Sequence, residues 1–198
     1  MSLSTTALHG LHEELGGRLV DFAGWELPVQ FAGIIAEHQH TRKSASLFDV
    51  SHMGQVLIYP ESGNLADAAA ALETLIPASV AGLKEGRQRY GLFTDENGGV
   101  LDDLMFANHG DRYFLVVNAA RSDHDLGLLR TLERVTVEHI TDRSLLALQG
   151  PRAEEALAGL IPDAAGLRFM DSQILDWDGV TVWVSRSGYT GEDGFEIS

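Results

Sequence analysis

Arg87-Gln88-Arg89-Tyr90-Gly91-Leu92-Phe93-Thr94, then Asp95-Glu96-Asn97-Gly98-Gly99, then Val100-Leu101-Asp102-Asp103-Leu104-Met105-Phe106-Ala107 is the stretch that decides the fold. Two runs rich in apolar and aromatic residues flank Asn97-Gly98. That dipeptide is the strongest short hairpin signal, because both central residues of a tight hairpin turn need a positive φ. The run therefore reads as two antiparallel strands. His109-Gly110-Asp111 makes the next turn, and Arg112 to Val117 reads as a third strand.

Outward from this hairpin, strands and helices alternate without a βαβ repeat. On the N-terminal side, Ser4 or Thr5 is expected to cap a helix to about Leu15, followed by strands at Arg18 to Gly24 and Trp25 to Phe31. A helix from Gly33 to Leu47, with Ile34, Ile35 and His38 at helical spacing, leads into a strand from Phe48 to Tyr59. An Ala-rich helix follows, capped by Ser62 or Asn64 and running to about Leu75. On the C-terminal side, Ser122 is expected to cap a helix to Glu133. Strands at Val135 to Ile140 and Leu145 to Gln149 follow, then a helix opened by Gly150-Pro151. The last strands are Ser172 to Leu175, Val180 to Arg186, and one beginning at Phe195. This order predicts an α+β fold with antiparallel sheets and flanking helices. The block 50–140 reads as an inserted lobe, with 1–49 and 141–198 pairing into a discontinuous first lobe. Phe195-Glu196-Ile197-Ser198 alternates like a strand in progress, so the first lobe is expected to be incomplete at that end.

Composition bounds the chemistry. The chain has 198 residues, 44% of them apolar, and a mean hydropathy of -0.02, which suits a globular protein. No run approaches the ~20 apolar residues that span a bilayer. No secretory or Arg-rich leader is visible in Met1 to Thr6, so a soluble chain is expected, cytoplasmic if bacterial and mitochondrial only if a leader has been removed. There is no cysteine, which excludes disulfides, thiolate nucleophiles and Cys-based zinc sites. A net charge of -15 repels phosphate backbones and argues against nucleic acid as a partner.

Three segments could carry chemistry. In Gly98-Gly99-Val100-Leu101-Asp102-Asp103, adjacent carboxylates on a strand should point to opposite faces, and one of them inward. Alternation groups Val100, Asp102 and Leu104 on one face and Leu101, Asp103 and Met105 on the other, without deciding which is buried. In Gly188-Tyr189-Thr190-Gly191-Glu192-Asp193-Gly194-Phe195-Glu196, glycines permit close backbone approach beside an aromatic ring and carboxylates. Such a loop suits a nitrogen-rich heterocycle and, lacking Lys, not a phosphate. Phe48-Asp49-Val50-Ser51-His52-Met53 brings Ser, His and Asp together, but triad members converge from separate elements, and Met53 is expected to pack on an apolar surface. His38, His40, His52 and His109 have no metal-ligand spacing. Arg87, Arg89 and Tyr90 supply cations and a ring beside the hairpin. Asn118 is a polar stop after an apolar strand, able to read a ring edge or to cap a helix.

Seven motifs in order carry a resemblance across essentially the whole chain: Leu11-His12-Glu13-Glu14-Leu15-Gly16-Gly17, Val20-Asp21-Phe22-Ala23-Gly24-Trp25, Phe48 to Met53, Gly98 to Asp103, Val116-Val117-Asn118-Ala119, Ala147-Leu148-Gln149-Gly150-Pro151, and Gly188 to Ser198. Together they resemble the N-terminal part of the T protein family of the glycine cleavage system. The resemblance implies two lobes of a three-lobed folate-binding fold, with the third lobe absent. It implies transfer of a one-carbon unit from the aminomethyl-lipoyl arm of H protein to tetrahydrofolate, the acceptor substrate, with release of ammonia and no metal. It also implies Asp102 as the catalytic carboxylate, with Met53, Tyr90, Asn118, Tyr189 and Glu196 lining the pterin pocket. Family members run further than this chain, so a segment with little activity alone is expected, prone to self-association through surface left by the missing lobe. Two related readings stand beside this one. The first is a folate-accepting module of a sarcosine or dimethylglycine demethylating enzyme, although no Gly-x-Gly-x-x-Gly flavin fingerprint is present. The second is a non-enzymatic folate-binding protein of the same superfamily.

Overall fold

The computed structural model describes residues 2–198 and divides the chain into two compact units. The first comprises 2–52, Arg143–Phe169 and Ile174–Ser198; the second comprises Met53–Asp142 and Met170–Gln173. Met1, expected to open the first lobe, lies outside the described residues. In chain order the elements begin with α1 (His9–Glu14), β1 (Leu19–Phe22), β2 (Trp25–Pro28), α2 (Ile34–Lys43) and β3 (Ser46–Asp49). Next come β4 (Gly54–Pro60), α3 (Leu65–Leu72), β5 (Arg87–Thr94), β6 (Val100–Asn108), β7 (Tyr113–Val117), α4 (Ser122–Leu129) and β8 (Val135–Ile140). The chain ends with β9 (Leu146–Gln149), α5 (Ala153–Ala158), β10 (Ser172–Trp177), β11 (Val180–Arg186) and β12 (Gly194–Ile197). The fold is α+β with antiparallel sheets, as the hairpin pattern predicted. No helix among the described residues is long and apolar enough to cross a membrane.

The second unit is built on the sheet β5-β6-β7-β4-β8. Alternate residues of its strands supply one core: Val56 and Ile58 on β4, Phe93 on β5, Leu104 and Phe106 on β6, Leu115 and Val117 on β7. Two helices cover that face. In α3, Leu65, Ala68, Ala69 and Leu72 recur at helical spacing and pack into the core, and α4 adds Leu126 and Leu129. Of the two candidate caps, Asn64 takes the position at the start of α3, accepting the Ala66 N–H at 3.2 Å.

The first unit carries the sheet β10-β11-β12-β9-β3 and a separate β1–β2 hairpin. One face of the larger sheet presents Val182, Val184 and Phe195, which pack with Ala153 and Leu157 of α5 and with Ile161, Ala164 and Leu167 beyond it. The opposite face mixes polar residues with Trp183, Ala147 and Phe48. Opposed pairs Ser185↔Glu196 and Glu196↔Ala147, with Gly194↔Gln149, place Ser185, Glu196 and Gln149 together on it.

Four sequence expectations are corrected. Phe48 to Tyr59 is two strands, not one: β3 pairs with β9, whereas β4 pairs with β7 and β8. The break is an Asx turn, in which the Ser51 N–H donates to Asp49 Oδ1 at 3.0 Å. Ser122 is the first residue of α4 rather than its cap, because a 3-10 turn at Ala119–Arg121 precedes it. The same helix stops at Leu129, well before Glu133, since the chain must reverse into β8 and Arg134 takes a φ of 61° to do so. Finally, Ile34 and Ile35 do not form an inward stripe on α2. They are 61% and 73% exposed, and the buried residue of that helix is Thr41.

Phe93 is 0% exposed, whereas Phe48 is 40% exposed. Phe93→Ala is expected to cost about 3–5 kcal/mol in urea denaturation and Phe48→Ala about 1 kcal/mol or less. Equal losses would mean that the β5 face does not organise the second core.

Candidate functional site

In the second unit the hairpin ladder positions a carboxylate cluster. Its turn is held by Asp95, whose Oδ1 accepts the N–H groups of Asn97 and Gly99, each at 2.8 Å. The register then shifts between Phe93 and Thr94: Thr94 opposes Val100, but Phe93 opposes Asp102. Leu101 is the extra residue of a β-bulge. Its side chain packs against the core beside Leu104, correcting the simple alternation that grouped it with Asp103. Asp102 thus lies on the core face, opposite buried Phe93. Asp103 opposes Leu92 on the other face, beside Tyr90.

The two carboxylates nevertheless meet at one group. Asn118 Nδ2 lies 3.0 Å from Asp102 Oδ1, 3.0 Å from Asp103 Oδ1 and 3.1 Å from the Asp103 carbonyl. The expectation that neighbouring carboxylates must be separated by the sheet is therefore too strict. Asn118 lies just past the end of β7, where a side chain can reach around the edge of the ladder. The Tyr90 hydroxyl is hydrogen-bonded to Asp103, and its pKa is raised, first by loss of solvent around it and then by the Asp103 and Asp102 charges. Tyr90 is 56% exposed, so its ring is open to a ligand. Met53 is half-buried and immediately precedes Gly54, which opposes Val117 at the Asn118 end of the sheet. Arg87 and Arg89 serve structure: Arg87 pairs with Asp171, and Arg89 Nη1 donates to the Ser79 carbonyl at 2.7 Å.

In the first unit the Gly-rich loop is fastened from three sides. Gln149, 0% exposed, accepts the Tyr189 N–H at 3.0 Å and donates to the Ser187 carbonyl at 3.3 Å. Arg42 donates to the Thr190 carbonyl at 2.8 Å and pairs with Glu192 at 3.0 Å. Arg186 pairs with Asp193 and, at 2.6 Å, with Glu154. The glycines make room for these fastenings. A Cβ on Gly188 would lie 1.8 Å from the Glu192 carbonyl oxygen, and one on Gly194 would lie 2.3 Å from Gln149 Nε2. Glu192 and Asp193 are therefore spent on arginines.

Glu196 is different. Burial pushes its pKa up to about 7, opposed only by a hydrogen bond with Ser185. Tyr189 is 57% exposed overall, yet its hydroxyl is pushed well above the usual phenol range by desolvation and then by Glu196. The loop therefore offers one carboxyl near its titration midpoint at neutral pH beside an exposed aromatic ring.

The Ser51-His52-Asp49 grouping makes no triad. Ser51 Oγ accepts the Leu145 N–H at 3.0 Å, His52 packs edge-on against Phe22, and Asp49 accepts from Thr6 at 2.6 Å and binds His12 at 2.8 Å. His109 stacks on Phe114 and lies 3.0 Å from Ser172 Oγ. Sequence reasoning gave no role to Asp125 or to the Gln149 side chain. A usable signal existed for the first: Asp125 lies four residues before Leu129, on the apolar stripe of α4, where a solvated acid does not belong.

The GCVT N-terminal domain family matches residues 8–198. The chain is 42% identical over 203 residues to an aminomethyltransferase of Bacillus subtilis, covering 98% of this chain and 54% of that protein. It is 40% identical over 209 residues to a mitochondrial aminomethyltransferase of Dictyostelium discoideum, covering 99% and 51%. Among solved structures, the glycine cleavage system aminomethyltransferase T from Bartonella henselae matches with a TM-score of 0.86 and 38% identity, over 99% of this chain and 53% of that one. The chain spans about half the length of the curated relatives it matches. On the match over residues 8–198, it belongs to the GCVT N-terminal domain family.

Proposed function

We infer that this chain forms the pterin-recognising part of a tetrahydrofolate-dependent aminomethyltransferase. The whole-length enzyme would move a one-carbon unit from the aminomethyl-lipoyl arm of H protein to tetrahydrofolate and release ammonia. The observation that carries the reading is the Asn118 amide bracing Asp102 and Asp103 in a chain of this family. Asn118 and the bulge hold the Asp102 carboxylate in a fixed orientation before substrate arrives. A preoriented carboxylate stabilises positive charge that develops when a folate nitrogen attacks the one-carbon unit, and it need not reorganise to do so. Tyr90, with Met53 nearby, offers apolar and aromatic surface to the ring system.

Glu196 and Tyr189, in the first unit, offer a further pair of groups suited to a pterin. A pterin presents an amino group and a ring N–H as donors, and an ionised carboxylate accepts both. A desolvated carboxylate makes such charge-assisted bonds stronger than an exposed one would. We also propose that the two units are two lobes of a larger fold whose remaining length completes the folate site. Docking of the lipoyl carrier belongs to that whole-length protein.

Calorimetric binding of 5-formyltetrahydrofolate tests the assignment. This chain is expected to bind, with Asp102→Asn and Glu196→Ala each weakening affinity roughly tenfold or more, as loss of a charged hydrogen-bonding partner does. Binding only by a chain of the relatives' full length would place closure of the site in the further half. Binding by neither would sink the folate reading. Ammonia release that depends on aminomethylated H protein separates this function from folate-accepting demethylation.

A second prediction concerns pH. Glu196 must be ionised to accept from the pterin, and its pKa in the free protein is about 7. Protonation therefore competes with binding as pH falls below 7, and affinity is expected to drop by up to about tenfold per unit. Titrations at pH 6, 7 and 8 should show this slope, and Glu196→Gln should abolish it. The same slope in the Gln variant would remove Glu196 from the pocket.

A further inference from the structure

Behind Asp102 lies a second acid that the reaction proposed above does not use. Asp125 is 0% exposed on α4. Its Oδ1 lies 3.0 Å from His124 Nδ1, leaving Oδ2 buried with no donor among the described residues. Asp102 shows the same pattern. Its Oδ1 accepts from Asn118 at 3.0 Å, while its Oδ2 is buried and receives no N–H or O–H. Asp102 is close enough to act on the Asp125 titration, both as a hydrogen-bonding group and as a like charge. The placement follows from the fold, since the bulge turns Asp102 to the core face and α4 packs Leu126 and Leu129 on that same face.

Two ionised carboxylates in contact inside a core would carry two buried charges and two unpaired acceptors, an arrangement of high cost. One proton between them removes one of the two charges and gives both unpaired oxygens a partner. We propose that Asp125 is a positioning residue for Asp102: a single proton shared between their Oδ2 atoms fixes the inner edge of the Asp102 carboxyl, as Asn118 fixes its outer edge. The proposal rests on the reading of Asp102 as the folate-facing carboxylate. A carboxyl gripped at both oxygens keeps one rotamer and one plane, so its charge meets the substrate nitrogen in a fixed direction.

The titration behaviour agrees. Burial raises Asp125 to about 6; the His124 hydrogen bond opposes this, and contact with Asp102 adds to it. His124 on α4 and Asp102 on β6 are the titratable groups that act on Asp125. Asp103 and Tyr90 lie beyond, grouped around the far side of Asp102. The sign is that of a raised acid. The Asp125 proton is held below about 6 and is lost as pH rises through that value, after which two carboxylates face each other.

Carbon-detected NMR of the aspartate carboxyls across pH 4–8 reads the bridge without any folate. Asp125 is expected to titrate near 6 in the native chain and lower in Asp102→Asn, where a like charge is replaced by an amide that can donate. An unchanged Asp125 midpoint in that variant would overturn the shared proton. The second arm is 5-formyltetrahydrofolate calorimetry at pH 6, where the shared proton is still about half held and the partial protonation of Glu196 lowers affinity alike in every variant compared. Asp125→Ala leaves Asp102 Oδ2 buried without a partner and should weaken binding roughly tenfold, whereas Asp125→Asn, whose amide supplies a permanent donor, should recover most of that loss. Equal losses in both variants, each shown folded by circular dichroism, would overturn the positioning role. If Asp125→Ala fails to fold, the Asp102→Asn titration still decides. Coupled titration with no folate binding by any chain would refute the folate reading and leave the proton bridge standing.

Discussion

The register of β5 against β6 is the constraint on which the second unit depends. A strand presents side chains with a period of two, so a slip of one residue exchanges every inward and outward position. Here the slip would put Asp103 against the core and Asp102 in solvent. Two devices prevent it. The Asp95 side chain gathers the turn amides, and the bulge at Leu101 absorbs one residue so that Asp102, not Leu101, stands opposite Phe93. A bulge costs one rung of the ladder and returns a re-aimed side chain. The cost is supported by the core around Phe93, Phe106 and Leu104, which holds the strands in place from one side.

The first unit solves a different problem, that of presenting a loop rather than a strand residue. Nine residues from Gly188 to Glu196 contain almost no regular structure until β12 begins at Gly194. Loops of this kind are mobile unless their backbone groups are satisfied. Gln149 and Arg42 bind loop backbone directly, and Arg186 holds Asp193 while its guanidinium lies over the Phe195 ring at 5.2 Å. The carboxylates Glu192 and Asp193 thereby become structural, and the loop's chemistry contracts to Tyr189 and Glu196.

These differences mark what could be read from the chain. The hairpin from Arg87 to Ala107 was legible because Asn97-Gly98 and the flanking strands are local signals, and the helix opened by Asn64 was legible for the same reason. The division between β3 and β4 was not. Asp49 and Gly54 are five residues apart in an apolar-rich run, and only their partners, β9 for one strand and β7 and β8 for the other, show that they belong to different sheets. The candidate site divides likewise. Asp102, Asn118 and Glu196 stand in recognisable motifs. Asp125 does not, because what sets it apart is its burial against Asp102, a contact across 23 residues that no local pattern encodes. Nor could spacing say that Arg87 and Arg89 are occupied by Asp171 and the Ser79 carbonyl.

Asp125 and Glu196 share a thermodynamic character that separates them from Asp49. Asp49 is also largely out of water, yet its pKa is lowered, since Thr6, His12 and the Ser51 N–H all supply hydrogens to its oxygens. Its burial is compensated and its charge is compatible with folding. Asp125 and Glu196 are pushed the other way, because burial outweighs the few partners they have. For a raised acid the folded chain binds the proton more tightly than the unfolded chain does. Each therefore subtracts stability as pH rises from the ordinary carboxylate range through about 6 for Asp125 and about 7 for Glu196. A fold selected for stability alone would place an apolar or paired side chain at both positions. Buried acids left short of donors favour the proposed sites, with the deficit to be met by substrate or by a shared proton rather than by the protein's own donors.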